Sequence, residues 1–298
     1  MLPTSRPIKG EDDYWRIRSF LRQVFLLNDR HELNWHVARL DYLRWHFIEN
    51  CQVCPPFEQV TTLWETAGGQ IAAVLHPAGM GEAWLHLHPG HRTPELEAEM
   101  IAVAEERLSR TVEDGGRRLA ILADRNDTQR QRLLQERGYA SRVRPVHRWW
   151  RDLDAPLPDL SVAPAYTIRA MGDRDEFPAR SWASWRAFHP DEPDDPYEGW
   201  AWYGNIHSAP LYRRDLDIVA ATAGGEIAAF CTIWFDDATR SAVCVLVGTV
   251  PEHQQRGLGK AVMAEGLRRL RTMGATRAFA NGHDAPADAL YGSVLGTK

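Results

Sequence analysis

Cysteine is scarce in this chain: four in 298 residues are too few for a disulfide scaffold. Cys51-Gln-Val-Cys54 has the spacing of a metal knuckle, but no second Cys or His pair follows at a finger spacing, so no metal site is expected. Long apolar runs are missing too. No stretch approaches the roughly 18 residues of a membrane span, and the opening MLPTSRPIKG holds no apolar signal core. The cytoplasm is the expected compartment, with no membrane partner. Nor is there an excess of positive charge, since a net charge of −5 argues against nucleic acid as the main partner. What remains is the composition of a globular protein long enough for two domains, with a high count of 12 tryptophans.

Read in order, Asp13 to Leu27 and Asn34 to Ile48 have the spacing of amphipathic helices. Val60 to Glu65 and Gln70 to Leu75 flank Gly68-Gly69, a hairpin signal. A strand over Ala83 to His88 ends at Pro89, and a helix follows from Pro94 to about Val112. Next come a strand over Leu119 to Ala123, a helix over Thr128 to Arg137 and a strand over Val146 to Trp150. Residues 152–165 are proline-rich and read as a linker. The plan then repeats. TAGGQIAA at Thr66–Ala73 and TAGGEIAA at Thr222–Ala229 differ at one position. His88-Pro89-Gly90-His91 aligns with Val250-Pro251-Glu252-His253, and Leu133-Leu134 with Leu290-Tyr291. A duplicated α+β domain is expected, with copies at 1–151 and 166–298.

The copies differ where the second carries a glycine loop. In the second, the apolar run Ala242 to Val250 reads as a strand buried on both faces. Leu258, Val262, Met263, Leu267 and Leu270 then mark a helix. Between them lies Gln254-Gln255-Arg256-Gly257-Leu258-Gly259-Lys260. Two glycines, free helix-start amides and two cations make a phosphate cradle; the alternative is a tight turn with a glycine for packing. A Walker loop would need glycine at Gln254 and Ser or Thr at Ala261, and a dinucleotide fingerprint would need glycine at Val262. In the first copy the segment is His91-Arg92-Thr93-Pro94-Glu95-Leu96-Glu97. It has neither glycine, and Glu95, Glu97 and Glu99 are expected to repel a pyrophosphate. That copy reads as degenerate, with His76, His86, His88 and His91 solvated or hydrogen-bonded.

The pattern Gln254-x-x-Gly257-x-Gly259 resembles the acyl-CoA pyrophosphate loop of the GNAT acyltransferase superfamily. The resemblance covers about residues 166–296 and, more weakly, 10–150. It implies two tandem GNAT-like domains, each a mixed, mostly antiparallel twisted sheet flanked by helices. It further implies acetyl-CoA as co-substrate, with Val247, Gly248 and Thr249 along the pantetheine arm and the amides of Arg256 to Lys260, beside Gln254 and Gln255, on the pyrophosphate. Asp284-x-x-Ala287-x-x-Leu290-Tyr291 is similar to the family's Asn-x-x-Ala-x-x-Leu-Tyr segment, with Asp in place of Asn. That makes Asp284 a cofactor-side residue and helix cap, and Tyr291 the general acid for the leaving thiolate; a half-buried core aromatic is the other reading of Tyr291.

Two departures stand out: Ser241 to Val250 holds no acidic residue to serve as base, and the two strands the family adds after the Tyr are missing before Lys298. On the acceptor side, Trp182, Trp185, Phe188, Trp200, Trp202 and Tyr203 surround Asp191, Glu192, Asp194, Asp195 and Glu198. Trp185, Asp191, Glu192, Trp202 and Tyr203 are the candidates for holding a cationic amine; a core helix followed by a solvated acidic loop is the competing reading. The expected function is transfer of an acetyl group to a primary amine of a small molecule or peptide, by direct attack in the second domain of a monomer or homodimer. A non-catalytic acyl-CoA-binding or regulatory module is the alternative.

Overall fold

The computed structural model describes residues 2–113, 115–141, 146–159, 162, 164–193 and 197–297. The chain divides into two compact units, Met1–Val143 and Arg144–Lys298. The first contains β1 (Thr4–Pro7), α1 (Gly10–Leu27), α2 (Val37–Tyr42), α3 (Phe57–Val60), β2 (Thr62–Glu65), β3 (Ile71–Gly79), β4 (Glu82–Leu87) and α4 (Pro94–Leu108). A small ribbon of β5 (Arg110–Thr111) and β6 (Arg117–Arg118), then β7 (Ala120–Ile121) and α5 (Thr128–Glu136), complete it. Its five-stranded sheet has the order β1-β2-β3-β4-β7, antiparallel except for the β4–β7 pair. Helix α4 starts where Thr93 accepts from the Leu96 amide at 3.2 Å and Pro94 fills the first turn. It buries Leu96, Met100, Ile101, Ala104 and Leu108 on one face, against Leu75, Leu85 and Leu87 of the sheet.

The second unit runs β8 (His147–Asp152), β9 (Tyr166–Ala170), α6 (Phe177–Phe188), α7 (Ala201–His207), β10 (Asp217–Thr222), β11 (Ile227–Asp236), β12 (Ser241–Thr249), α8 (Leu258–Thr272), β13 (Arg277–Gly282) and α9 (Ala285–Val294). Its six strands lie in the order β8-β13-β12-β11-β10-β9, with β12 and β13 parallel and the other pairs antiparallel. Each unit is thus a mixed, mostly antiparallel sheet flanked by helices, the α+β tandem plan expected. Among the described residues no helix is long and apolar enough to cross a membrane.

The duplication extends to single hydrogen bonds. Thr66 and Thr222 each close the glycine turn by accepting from the amide three residues on, and Gly69 and Gly225 take positive φ of 77° and 86°. The amides of His88 and Val250 donate to Ala72 and Ala228, each at 2.9 Å, and a 3-10 turn follows in both units.

The expected domain boundary and linker both shift. The strand expected at Val146 to Trp150 forms at His147–Asp152, but it pairs with β13 from Arg277↔Asp152 to Gly282↔His147. The boundary expected after residue 151 therefore falls in the wrong place, because this strand forms an edge of the second unit's sheet. The proposed linker is also docked at its start. Leu153 is fully buried, and its amide donates to the Thr276 carbonyl at 2.8 Å. Residues 160, 161 and 163 lie outside the described set.

In the first unit His76 and His86 are fully buried and linked Nε2 to Nε2 at 2.9 Å. His76 Nδ1 lies 2.8 Å from the Pro77 carbonyl, so it must carry a proton, and its Nε2 must accept from His86. His86 Nδ1 then accepts from the Trp35 amide at 3.4 Å. Burial lowers His76 to about 4, so the chain of neutral imidazoles is the state that fits.

Candidate active site

The strand over Ser241–Thr249 changes character halfway. It pairs with β13 only at Ser241↔Arg277, Ala242↔Ala278 and Val243↔Phe279, after which the two parallel strands part. The register with β11 slips over the same stretch, from Ile233↔Cys244 to Cys231↔Val247, and Leu246 in the resulting bulge has φ of 67°. Burial follows the parting. Ser241 to Cys244 are buried, whereas Val245 to Thr249 are only half-buried. The expectation of burial on both faces to Val250 thus fails for residues 245–249, because β13 has left their side. Val247, Gly248 and Thr249 line this opening with backbone that β13 does not use. A Cβ on Gly248 would lie 2.5 Å from Phe230 Cζ and 3.0 Å from Ala187 Cβ, so this position packs against α6 only because it lacks a side chain. The bulge at Leu246 left no sign in the sequence, since the residue is not glycine.

The opening leads to the glycine loop. Gln254 Nε2 donates to the Thr249 carbonyl at 3.3 Å, and Gln255 and Gly257 take φ of 59° and 75°. Gly257 caps α8 without a side-chain bond. Among the described residues no acceptor meets the amides from Gln255 to Lys260, so the positive end of α8 faces outward unpaired. A Cβ on Gly259 would come within 3.3 Å of Leu290 and 3.5 Å of Thr249 Oγ1, so the hollow at the helix start is shaped by the missing side chain. Leu258 is buried as an anchor and Lys260 is exposed. Arg256 turns away from this hollow: its guanidinium donates to Tyr166 Oη at 2.7 Å and to the Glu252 carbonyl at 3.1 Å. It offers its amide here and not its side-chain charge. The donor set suits a diphosphate, which backbone amides at a helix start bind without a metal ligand.

Asp284 caps α9 as expected, accepting from the Ala287 amide at 2.8 Å. Tyr291 is 8% exposed and packs in the core with Leu258, Val262 and Cys244. Leu290 beside it touches the Gly259 position, so the helix of Tyr291 abuts the glycine loop.

The acceptor candidates separate. Trp185 stacks on His189 at 3.8 Å, and among the described residues its buried indole N–H has no hydrogen-bond partner. Trp202 donates to Ser181 Oγ at 2.8 Å, as Tyr197 does at 2.9 Å. Asp191 and Glu192 are exposed, while Asp194 and Asp195 lie outside the described residues. Tyr203 does not belong with them. It is fully buried and donates to the buried carboxylate of Asp217, which also takes Tyr212 at 3.1 Å and Thr232 at 3.0 Å. Burial, then Asp217, pushes its phenol well up, and no acceptor can reach it. Arg180, also buried, joins this group at 3.5 Å from Asp217 and lies 3.7 Å from the Phe230 ring centre. Sequence spacing missed this cluster because its members come from α6, α7, the connection after α7, β10 and β11. Among the described residues no group of three metal-type ligands comes together.

Residues 176–296 match the sequence model of the Acetyltransferase (GNAT) family. A mycothiol acetyltransferase of Saccharopolyspora erythraea is 27% identical over 266 residues, covering 80% of this chain and 80% of its own. A GCN5-related N-acetyltransferase structure from Sphaerobacter thermophilus aligns with a TM-score of 0.64 at 15% identity, over 98% of this chain and 93% of its own. A tandem GNAT protein from the clavulanic acid biosynthesis pathway gives 0.60 at 16% identity, over 99% and 94%. Identities this low speak for fold alone, and the likeness runs the whole length of the chain. The parted strands and the glycine loop both lie within the region that matches the Acetyltransferase (GNAT) family model.

Proposed function

We propose that the second unit binds acetyl-CoA and transfers its acetyl group to a primary amine by direct attack in a ternary complex. One observation carries the reading: a strand that parts from its parallel neighbour and runs into a helix start with unpaired amides. The family uses acetyl-CoA, which supports the choice of ligand. The amides of Gln255 to Lys260 would hold the diphosphate, and the free edge of Val247, Gly248 and Thr249 would pair with the amide-bearing arm. The thioester carbonyl then lies beside the bulge, where a backbone N–H can stabilise the developing oxyanion.

Tyr291 would protonate the departing thiolate. A phenol with an ordinary pKa of about 10 suits that transfer. No carboxylate lies on the strand from Ser241 to Val250, so the amine's proton would leave through water. We place the acceptor against Trp185 and Trp202, with Asp191 and Glu192 attracting positive charge from the rim. The test is release of CoA thiol from acetyl-CoA across a panel of amines, including polyamines, aminoglycosides, Lys-bearing peptides and a mycothiol-related amine. Turnover with at least one acceptor is expected. Tight acetyl-CoA binding with no turnover on any of them would favour a binding module.

A further inference from the structure

We infer that the corresponding cleft in the first unit is filled by that unit's own side chains, with Arg130 and Glu97 occupying the space that acyl-CoA would need. The inference rests on the reading of the second-unit cleft given above.

Helix caps fix the equivalence. Asp127 accepts from the Arg130 amide at 3.1 Å, as Asp284 accepts from the Ala287 amide at 2.8 Å, so Arg130 stands where the second unit has Ala287. Helices α4 and α8 begin after Thr93 and Gly257, which sets Glu97 against Ala261. An ion pair in one copy thus answers two alanines in the other.

The geometry shows where the pair sits. Strands β4 and β7 are parallel only at Glu82↔Ala120 and Ala83↔Ile121. Just past that point Arg130 Nη2 donates to the Leu85 carbonyl at 3.2 Å and Nη1 to the Leu122 carbonyl at 3.1 Å. The guanidinium therefore bridges the two strands where they part. Its Nε donates to Glu97 at 2.5 Å. Glu97 is fully buried in the first turn of α4, where Gln129 reaches it at 2.9 Å and Arg92 at 2.8 Å. Arg92 goes on to Asp127 at 2.7 Å. A carboxylate at a helix start supplies the negative charge that the helix dipole favours. Glu97 is thus an internal anion at this position and does not project outward to repel one, which corrects the expectation drawn from its charge. The strand differs as well. From Ala73↔Leu87 to Pro77↔Ala83, β4 pairs with β3 without the bulge that β12 carries.

For a ligand to enter, Arg130 would have to leave Glu97 and both carbonyls. That would break a buried ion pair and leave the fully buried Glu97 carboxylate with Arg92 and Gln129 alone, which is costly. The first unit should therefore take no acyl-CoA.

Hydrogen exchange on the wild-type chain tests this with acetyl-CoA as the probe. Exchange should slow across residues 244–260 and stay unchanged across residues 84–97. Slowing at 84–97 would overturn the inference while leaving the proposed function standing. If exchange slows nowhere, the proposed function falls and this inference with it. The converse test grafts the plug into the second unit. Ala261→Glu with Ala287→Arg should weaken acetyl-CoA binding by about 100-fold or more, and the milder Ala287→Arg by about tenfold. An unchanged Kd in Ala287→Arg, with thermal unfolding like wild type, would show that the cleft tolerates the arginine and overturn the inference.

Discussion

Lowering the pH should loosen the first unit before its carboxylates titrate, and the cause is the buried histidine pair. His76 is held neutral, its pKa lowered from 6.5 to about 4 by burial, in a chain where each ring nitrogen already has a fixed role. A second proton on His76 would set two N–H donors against each other at the Nε2–Nε2 contact, and one on His86 would oppose the Trp35 amide at Nδ1. The unfolded chain takes up a proton near pH 6.5, whereas the folded one resists until about pH 4. The stabilisation is therefore complete above pH 6.5 and is lost as pH falls towards 4. Between pH 7.5 and 5 the loss amounts to about 2 kcal/mol, or roughly a 30-fold rise in the opening equilibrium. Hydrogen exchange of β3 and β4, corrected for intrinsic rates, reads that opening directly. His76→Phe should flatten the pH response. Protection that stays constant or increases between pH 7.5 and 5 would refute the reasoning, and so would an unaltered pH response in His76→Phe.

Three further outcomes are expected. Gly248→Ala should raise the KM for acetyl-CoA and lower thermal stability, because its methyl would meet Phe230 and Ala187; steady-state kinetics and a melting curve check both. Tyr291→Phe should keep acetyl-CoA affinity near wild type and lower kcat by about 10²- to 10⁴-fold, measured with a confirmed acceptor; full turnover would return Tyr291 to a packing role. Asp191→Asn with Glu192→Gln should raise the acceptor KM and flatten its salt dependence, since exposed charges act over a Debye length of about 8 Å at physiological ionic strength; an unchanged KM would make these residues solvated surface.

What the sequence made legible was local. The glycine loop shows itself because its flanking strand and helix have different periods and its glycines are contiguous with both. The duplication shows because a positive-φ turn keeps Gly69 and Gly225 in fixed context. Pairing was harder to see. His147–Asp152 reads as a strand, yet nothing in its alternation names β13 as partner. Tyr203 looked like an acceptor contact because aromatics and carboxylates are neighbours in sequence. Its partner is instead Asp217, brought in by the start of β10. Arg92, Glu97, Asp127 and Arg130 each resemble solvated helix or loop charges, and only the fold shows them to be one linked group with Glu97 and Arg130 buried.

The central claim is that the second unit's glycine loop is the acetyl-CoA site, and calorimetric titration of acetyl-CoA into wild type and Gly259→Glu tests it most directly. One site per chain is expected in wild type and none in the variant, whose carboxylate would face the diphosphate at the start of α8. No binding to wild type, or an unchanged Kd in Gly259→Glu, would contradict it.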